Sequence, residues 1–143
     1  MQLSSSAFKD HKPIPAKYTC KGEDCSPPLH IIGVSEKAKS LALIVDDPDA
    51  PAKIWVHWLI SDLPIVSDLN ESAQMGVFGL NDSGGIGYGG PCPPSGTHRY
   101  FFKLYALDCT LNLKSGYSRE ALEKAMHGHV IDKCELIGLF SKS

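Results

Sequence analysis

The sequence predicts one domain of mostly β structure, in which antiparallel sheets pack as a sandwich with one or two short helices. The 143 residues are the size of one ordinary domain, and no change of composition divides 1–143. Ten prolines and thirteen glycines separate the chain into short pieces. Several of these pieces are apolar runs, whose faces can be buried only by packing against one another.

Each predicted element follows from a local pattern. Four apolar runs, rich in β-branched and aromatic residues, are predicted as strands: 40–46, 55–61, 99–108 and 134–140. Ser118 is a predicted N-cap, and an apolar face with helical spacing runs from it to Val130. Gly128 weakens the later part of this helix. The glycine-, proline- and serine-rich region 67–97 predicts turns and an irregular loop, and long loops in compact domains often have a function.

Composition narrows the class of protein. Fourteen basic and sixteen acidic residues give a net charge of −2, which disfavours a nucleic-acid groove or a polybasic membrane anchor. No signal peptide or membrane-spanning window is recognisable, so we expect a cytoplasmic protein whose five cysteines are free thiols. Cys20 and Cys25 are close enough to suggest a disulfide or half of a metal site, but no second close Cys/His pair has structural-zinc spacing. His127 and His129 point apart on the predicted helix, so they predict no metal site.

Strand ends indicate where polar groups lie above the core. Alternate residues of a strand share a face. Three apolar rows therefore carry a polar group near one end: Leu41/Leu43/Val45/Asp47, Trp55/His57/Leu59 and His98/Tyr100/Phe102/Leu104. If these ends converge, they line the mouth of a small-molecule pocket. The alternative is that the histidines are core residues and that Asp47 forms an Asx-turn.

Two further motifs contain residues that could act in binding or catalysis. The glycine run at 84–90 lacks the Lys-Ser/Thr ending of a P-loop, but its backbone N–H groups could face an anion. A hydrolase needs a nucleophile beside a base, and Cys92 and Ser95 precede His98. Neither residue lies in a nucleophile elbow.

The chain resembles the phosphatidylethanolamine-binding protein family in three motifs that occur in this order: "DDPDAP" (46–51), "WVHWLI" (55–60) and "YGGPCPPSGTHRYFFKLYALD" (88–108). Its bacterial and archaeal branch, often called Raf kinase inhibitor-like, is similar in two more: "IPAKYTCKGEDCSPPL" (14–29) and "AMHGHVIDKCELIGLF" (125–140). The resemblance covers nearly the whole chain. It implies a Greek-key sandwich with a small anion pocket at one end.

The resemblance also implies the site residues. The pocket would be built from Asp47, His57, His98 and Tyr100, and its further residues, walls and rim would be Asp49, Trp55, Tyr88, Pro93 and Pro94. Arg99 is expected to form a structural ion pair with Asp49. Cys92 stands where eukaryotic members tend to have glycine, and the spacing from Pro94 to His98 is shorter, so local anion contacts are expected to differ. The extra C-terminal helix of mammalian members is not expected after Ser143, which implies an open pocket mouth or a homodimer covering it.

These observations predict a protein that binds a small phosphate-type anion or a phospholipid headgroup, without catalysis, cofactor or metal. His57, His98 and Tyr100 would donate hydrogen bonds to phosphate oxygens. Asp47 would hold a histidine in position, or accept from a protonated phosphate or a ligand ammonium group. Two alternatives stay open: an interaction protein that regulates a protease or kinase, and a hydrolase that uses Cys92 or Ser95 with His98.

Overall fold

The computed structural model describes residues 1–142 and confirms the predicted mostly β fold with two sheets. The elements are β1 (Gln2–Ser4), β2 (Lys12–Pro13), a 3-10 turn (Ala16–Tyr18), β3 (Leu29–Ile32), β4 (Ser40–Asp47), β5 (Trp55–Leu63), β6 (Asp68–Leu69), β7 (Val77–Phe78), β8 (Thr97–Leu107), α1 (Arg119–Met126) and β9 (Val130–Ser141). No helix within residues 1–142 has the length and apolar character needed to cross a membrane.

The two sheets differ in size. The larger has six strands in the order β2-β9-β8-β4-β5-β7, and the smaller has three in the order β1-β3-β6. The pairings are antiparallel apart from the two-residue pairing of β2 with β9. After the β4–β5 hairpin the chain visits the smaller sheet at β6, and β8 then returns beside β4. This long return connection is typical of Greek-key sandwiches.

Two apolar clusters cover the two faces of the larger sheet. The main core lies between the sheets and includes Leu43 of β4, Phe102 of β8 and Ile31 of β3. The second cluster lies under α1 and includes Ile44 of β4 and Leu122 of the helix. Because β4 is covered on both faces, all eight of its residues are buried. This double burial explains why its sequence is a continuous apolar run.

Helix α1 begins as predicted and ends earlier. The Ser118 hydroxyl accepts a hydrogen bond from the Ala121 N–H at 3.1 Å, so the predicted N-cap is confirmed. The helix ends at Met126, and Gly128 adopts a φ of 81°, a left-handed conformation that glycine favours. The helical face predicted as far as Val130 therefore ends short of it, near the Gly128 that had left the helix end open, and the chain enters β9 at Val130.

A β-bulge in β5 changes one predicted face. Val45 pairs with Trp58 whereas Asp46 pairs with Val56, so His57 is an extra residue on β5. His57 lines the cavity and Trp58 packs in the main core, whereas Leu59 packs in the cluster under α1, on the other face of the sheet. The prediction that His57 and Leu59 share a face is wrong, because a bulge interrupts the strict alternation of a strand.

The cysteine prediction is also corrected. Cys20 and Cys92 form a disulfide across a sequence separation of 72, while Cys25, Cys109 and Cys134 are free. The same two segments are also joined by a hydrogen bond from the Cys20 N–H to the carbonyl of Pro91 at 3.1 Å. Cys20 therefore pairs with a remote cysteine rather than with nearby Cys25. The cytoplasmic location stays a prediction. The cysteines no longer support it, because two of the five form a disulfide, which is rare in reducing compartments.

Candidate ligand-binding site

A cavity of about 290 Å³ lies at the end of the larger sheet where β4 ends. The antiparallel register brings Asp47 beside Trp55, the first residue of β5, and Asp46 beside Phe101, near the start of β8. The predicted site residues that line this cavity are Asp47, Trp55, His57, Pro93, Pro94, His98 and Tyr100. It is lined further by Ala50, Pro51, Ser83, Gly90 and Cys92. The three strand ends therefore converge as the parity argument required.

Asp47 and His98 form a buried pair. The Nδ1 atom of His98 lies 2.6 Å from Oδ2 of Asp47, and the two residues are 7% and 3% exposed. Oδ1 of Asp47 accepts a hydrogen bond from the backbone N–H of Asp49 at 2.8 Å. The Asx-turn and the pocket are thus both present at Asp47. Because the carboxylate holds Nδ1, the Nε2 atom of His98 is the nitrogen left for a ligand.

His57 is fixed by the glycine loop. Its Nδ1 lies 2.6 Å from the carbonyl oxygen of Gly89, and the Gly89 N–H donates to the His57 carbonyl at 2.8 Å. Since a carbonyl only accepts, Nδ1 carries a proton, and Nε2 of the neutral ring has a free lone pair. Burial lowers the pKa of His57, against the opposing effects of the Gly89 hydrogen bond and nearby carboxylates. The neutral imidazole is therefore favoured in the free protein.

The Tyr100 side chain lies between the two histidines. Its ring centroid is 5.2 Å from that of His57 and 6.5 Å from that of His98. The hydroxyl oxygen is buried and has no hydrogen-bond partner among residues 1–142. Burial, followed by the negative charges of Asp47 and Asp49, raises the pKa of Tyr100. The hydroxyl therefore remains protonated and can donate a hydrogen bond.

Asp49 and Tyr88 lie outside the cavity lining. Asp49 accepts from Nε and Nη2 of Arg99, each at 2.9 Å, so the expected ion pair is confirmed. Hydrogen bonds from Arg99 lower the pKa of Asp49 to about 2. Tyr88 lines a neighbouring cavity, packs edge-on against Trp58 and donates its hydroxyl to the Tyr18 carbonyl at 2.6 Å. Asp49 is therefore held in an ion pair beside the cavity-lining residue Asp47, and Tyr88 joins the glycine loop to the N-terminal segment.

Most backbone N–H groups of the glycine loop at 84–90 are already used by protein acceptors, against the prediction that they face an anion. The N–H groups that donate to protein acceptors are those of Gly84, Gly85, Gly87, Gly89 and Gly90. Gly90 donates to Oδ1 of Asp24 at 2.7 Å, and a Cβ atom there would collide with that carboxylate and with the backbone of Tyr18. The loop thus serves as a wall tied to the N-terminal segment, rather than as an anion cradle.

The hydrolase alternative loses its thiol nucleophile. The sulfur of Cys92 is bonded to Cys20. Ser95 is exposed and is not among the cavity-lining residues. The Nδ1 atom of His98 is hydrogen-bonded to the carboxylate of Asp47. That the protein lacks catalytic activity stays a prediction.

Comparisons with known proteins agree with this architecture. The phosphatidylethanolamine-binding protein family profile matches residues 4–141. A UPF0098 protein of Methanothermobacter thermautotrophicus is 52% identical over 150 residues, which cover 99% of each chain. The chain therefore belongs to the phosphatidylethanolamine-binding protein family, as its motifs indicated.

Two solved structures share the fold. A Chlamydia trachomatis protein described as a homologue of phosphatidylethanolamine-binding protein (PEBP) is 48% identical, with a TM-score of 0.96 over 99% of this chain and 97% of its own. E. coli YbcL, described as a member of the mammalian PEBP family, is 30% identical, with a TM-score of 0.92 over 99% of this chain and 98% of its own.

Proposed function

We propose that the cavity binds a small phosphate-type anion and that phosphoethanolamine, the headgroup of a phospholipid, suits it well. The observation that carries this proposal is that Tyr100 lines the cavity and that its hydroxyl is buried without a hydrogen-bond partner among residues 1–142. A buried hydroxyl without a partner costs about 1–3 kcal/mol. A ligand oxygen that accepts its hydrogen bond removes this cost.

Three donors can then meet one phosphate group. Tyr100 donates its O–H, and His98 donates from Nε2 when its ring carries both protons, since Nδ1–H is given to the Asp47 carboxylate. His57 donates from Nε2 once it is protonated, because Nδ1–H remains bonded to Gly89. Hydrogen bonds to a charged partner are worth about 1.5–3 kcal/mol each. Since His57 is favoured as the neutral ring before binding, anion binding is expected to take up a proton.

The remaining walls suit the organic part of a headgroup. Trp55 is half-buried at the first residue of β5 and offers an aromatic face on which an ammonium group can rest. Ala50, Pro51, Pro93 and Pro94 provide apolar surface for a short alkyl chain. A pocket with apolar walls and a few convergent polar groups is the usual form of a small-molecule site.

The test compares two tyrosine-to-phenylalanine variants. Phosphoethanolamine is titrated at about pH 6, where histidine protonation is accessible, and affinity is read from the His57 and His98 resonances. Tyr100→Phe is expected to weaken binding about ten- to a hundredfold without loss of stability, because no protein hydrogen bond is lost and the cost of the unpartnered hydroxyl is removed. Tyr117→Phe is the matched control, since its hydroxyl donates to the Val77 carbonyl at 2.7 Å. That variant should lose about 1 kcal/mol of stability and keep the wild-type affinity.

Two outcomes would contradict the proposal: unchanged affinity in Tyr100→Phe, or no response of either histidine at saturating ligand. Inorganic phosphate serves as the second probe, and equal affinity for it would show that the cavity recognises the phosphate rather than the ammonium group. Regulation of a partner enzyme, a protein partner in general and a homodimer stay predictions. A partner whose capture changes in His57→Ala would favour the regulatory alternative.

A further inference from the structure

Three side chains of metal-ligand type meet at the far end of β8 from the cavity. They are Asp108 and Cys109, which follow β8, and His129, which precedes β9. One ligand atom from each lies within 4.8 Å of the others. Ten residues of extended strand separate Asp108 from His98, a distance of roughly 33 Å. The cluster is therefore independent of the anion cavity.

The thiol distinguishes this cluster from two other exposed His–Asp pairs. His129 Nδ1 lies 2.8 Å from Asp108 Oδ1, and His30 lies at the same distance from Asp68. His11 and Asp10 form a further pair at 3.0 Å. Within residues 1–142, only the pair of His129 and Asp108 has a third possible metal ligand nearby, the thiol of Cys109.

The protein backbone holds the three ligands together. The Asp108 N–H donates to the His129 carbonyl at 3.0 Å, so the two chain segments are joined at the cluster. The Ser40 hydroxyl donates to the Cys109 carbonyl at 2.7 Å. Ligand positions held by other contacts need little reorganisation on metal binding.

We propose that Asp108, Cys109 and His129 bind one divalent transition-metal ion, with Zn²⁺ as the best match and water in the fourth position. A thiolate, an imidazole and a carboxylate suit Zn²⁺ or Co²⁺, whereas Ca²⁺ and Mg²⁺ prefer oxygen ligands alone. Tetrahedral bonds of about 2.0–2.3 Å hold ligand atoms roughly 3.5 Å apart. Side-chain rotations that move each ligand atom by up to about 1 Å bring the three atoms to that spacing.

The local charge favours a cation. The negative charges of Asp108 and Asp62 both act at the Cys109 side chain. The ion would join the end of β8 to the start of β9, and would thereby stabilise the connection that contains α1.

The test is a Co²⁺ titration of the protein with its disulfide intact and without added thiol, at a pH slightly above neutral. We expect saturation at one equivalent, a near-ultraviolet thiolate-to-cobalt band that Zn²⁺ abolishes, and a higher melting temperature. Cys109→Ser should abolish the band. His129→Gln should weaken binding at least about tenfold, since even outer-shell partners act on that scale.

Two variants serve as matched controls. Cys134→Ser removes another free thiol, and His30→Gln removes the equivalent histidine of a pair without a thiol. Both should bind Co²⁺ as the wild type does. Metal-free melting temperatures identify any variant that fails to fold. As a second readout, Zn²⁺ should protect Cys109, but not Cys25, from alkylation. A band that persists in Cys109→Ser, a band lost in either control, or non-saturating binding would overturn the proposal.

Discussion

Loss of the Cys20–Cys92 disulfide is expected to destabilise the protein strongly. The bond joins residues 72 positions apart. Cross-linking a loop of that length restricts the unfolded chain by roughly 4.4 kcal/mol at 25 °C in the chain-entropy description. For a domain of this size, a loss of that order lowers the melting temperature by roughly 10–15 °C.

The folded state should survive this change, because other contacts join the same segments. The Tyr88 hydroxyl donates to the Tyr18 carbonyl at 2.6 Å, and the Gly90 N–H donates to Asp24 at 2.7 Å. The cavity wall therefore stays in place without the covalent bond. The predicted loss of stability arises mainly from the greater freedom of the unfolded chain.

The assay is thermal unfolding of the Cys20→Ser/Cys92→Ser double variant beside the wild type. Cys25→Ser is the control, because Cys25 is a free, half-buried cysteine of the same segment. Thiol counting in denaturant without reductant should find the three free cysteines in the wild type. A count of all five cysteines, or a double variant as stable as the control, would refute the argument.

Two pH-dependent predictions follow from the site. Burial lowers the pKa of His57, and a bound anion raises it. Anion affinity should therefore be highest at pH values below the pKa of His57 in the free protein. It should fall as the pH rises from that pKa towards the higher pKa of His57 in the anion complex. Calorimetry from about pH 5 to 8 checks this, and constant affinity would contradict it. Arg99 holds the pKa of Asp49 at about 2, below the unfolded value. Asp49→Asn should therefore cost about 1 kcal/mol at neutral pH, after allowance for solvent screening of this partly exposed pair. The difference should vanish as pH falls from about 4 through about 2; urea unfolding that shows a constant difference would exclude this role.

Strand β8 shows why parity predicted part of the site. Its inward row carries His98 and Tyr100 in regular alternation with exposed residues, as predicted. In β5 the same argument placed His57 correctly at the cavity but put Leu59 on the wrong face. The bulge that caused this error depends on the pairing with β4, which a single strand's pattern does not contain.

The hydrogen bonds of the glycine loop show a second limit. The composition of 84–90 indicates a flexible backbone with available N–H groups. In the fold, acceptors such as the Asp24 carboxylate and the His57 carbonyl take those groups. Backbone hydrogen bonds of a loop depend on which remote segment packs against it, so composition alone does not predict them.

Local patterns were sufficient for the four long strands, for the N-cap at Ser118 and for the polar groups at the strand ends. They missed the short strands β1, β2, β3, β6 and β7, two of which lie in the region 67–97 predicted as irregular loop. The features that were predicted arise from alternation and capping, which act between residues close together in the chain. Remote packing determined the pairing of Cys20 with Cys92, the isolation of the Tyr100 hydroxyl and the meeting of Cys109 with His129. Each of these juxtapositions joins segments far apart in sequence, and it forms because burying the apolar faces of the strands brings those segments to the same place.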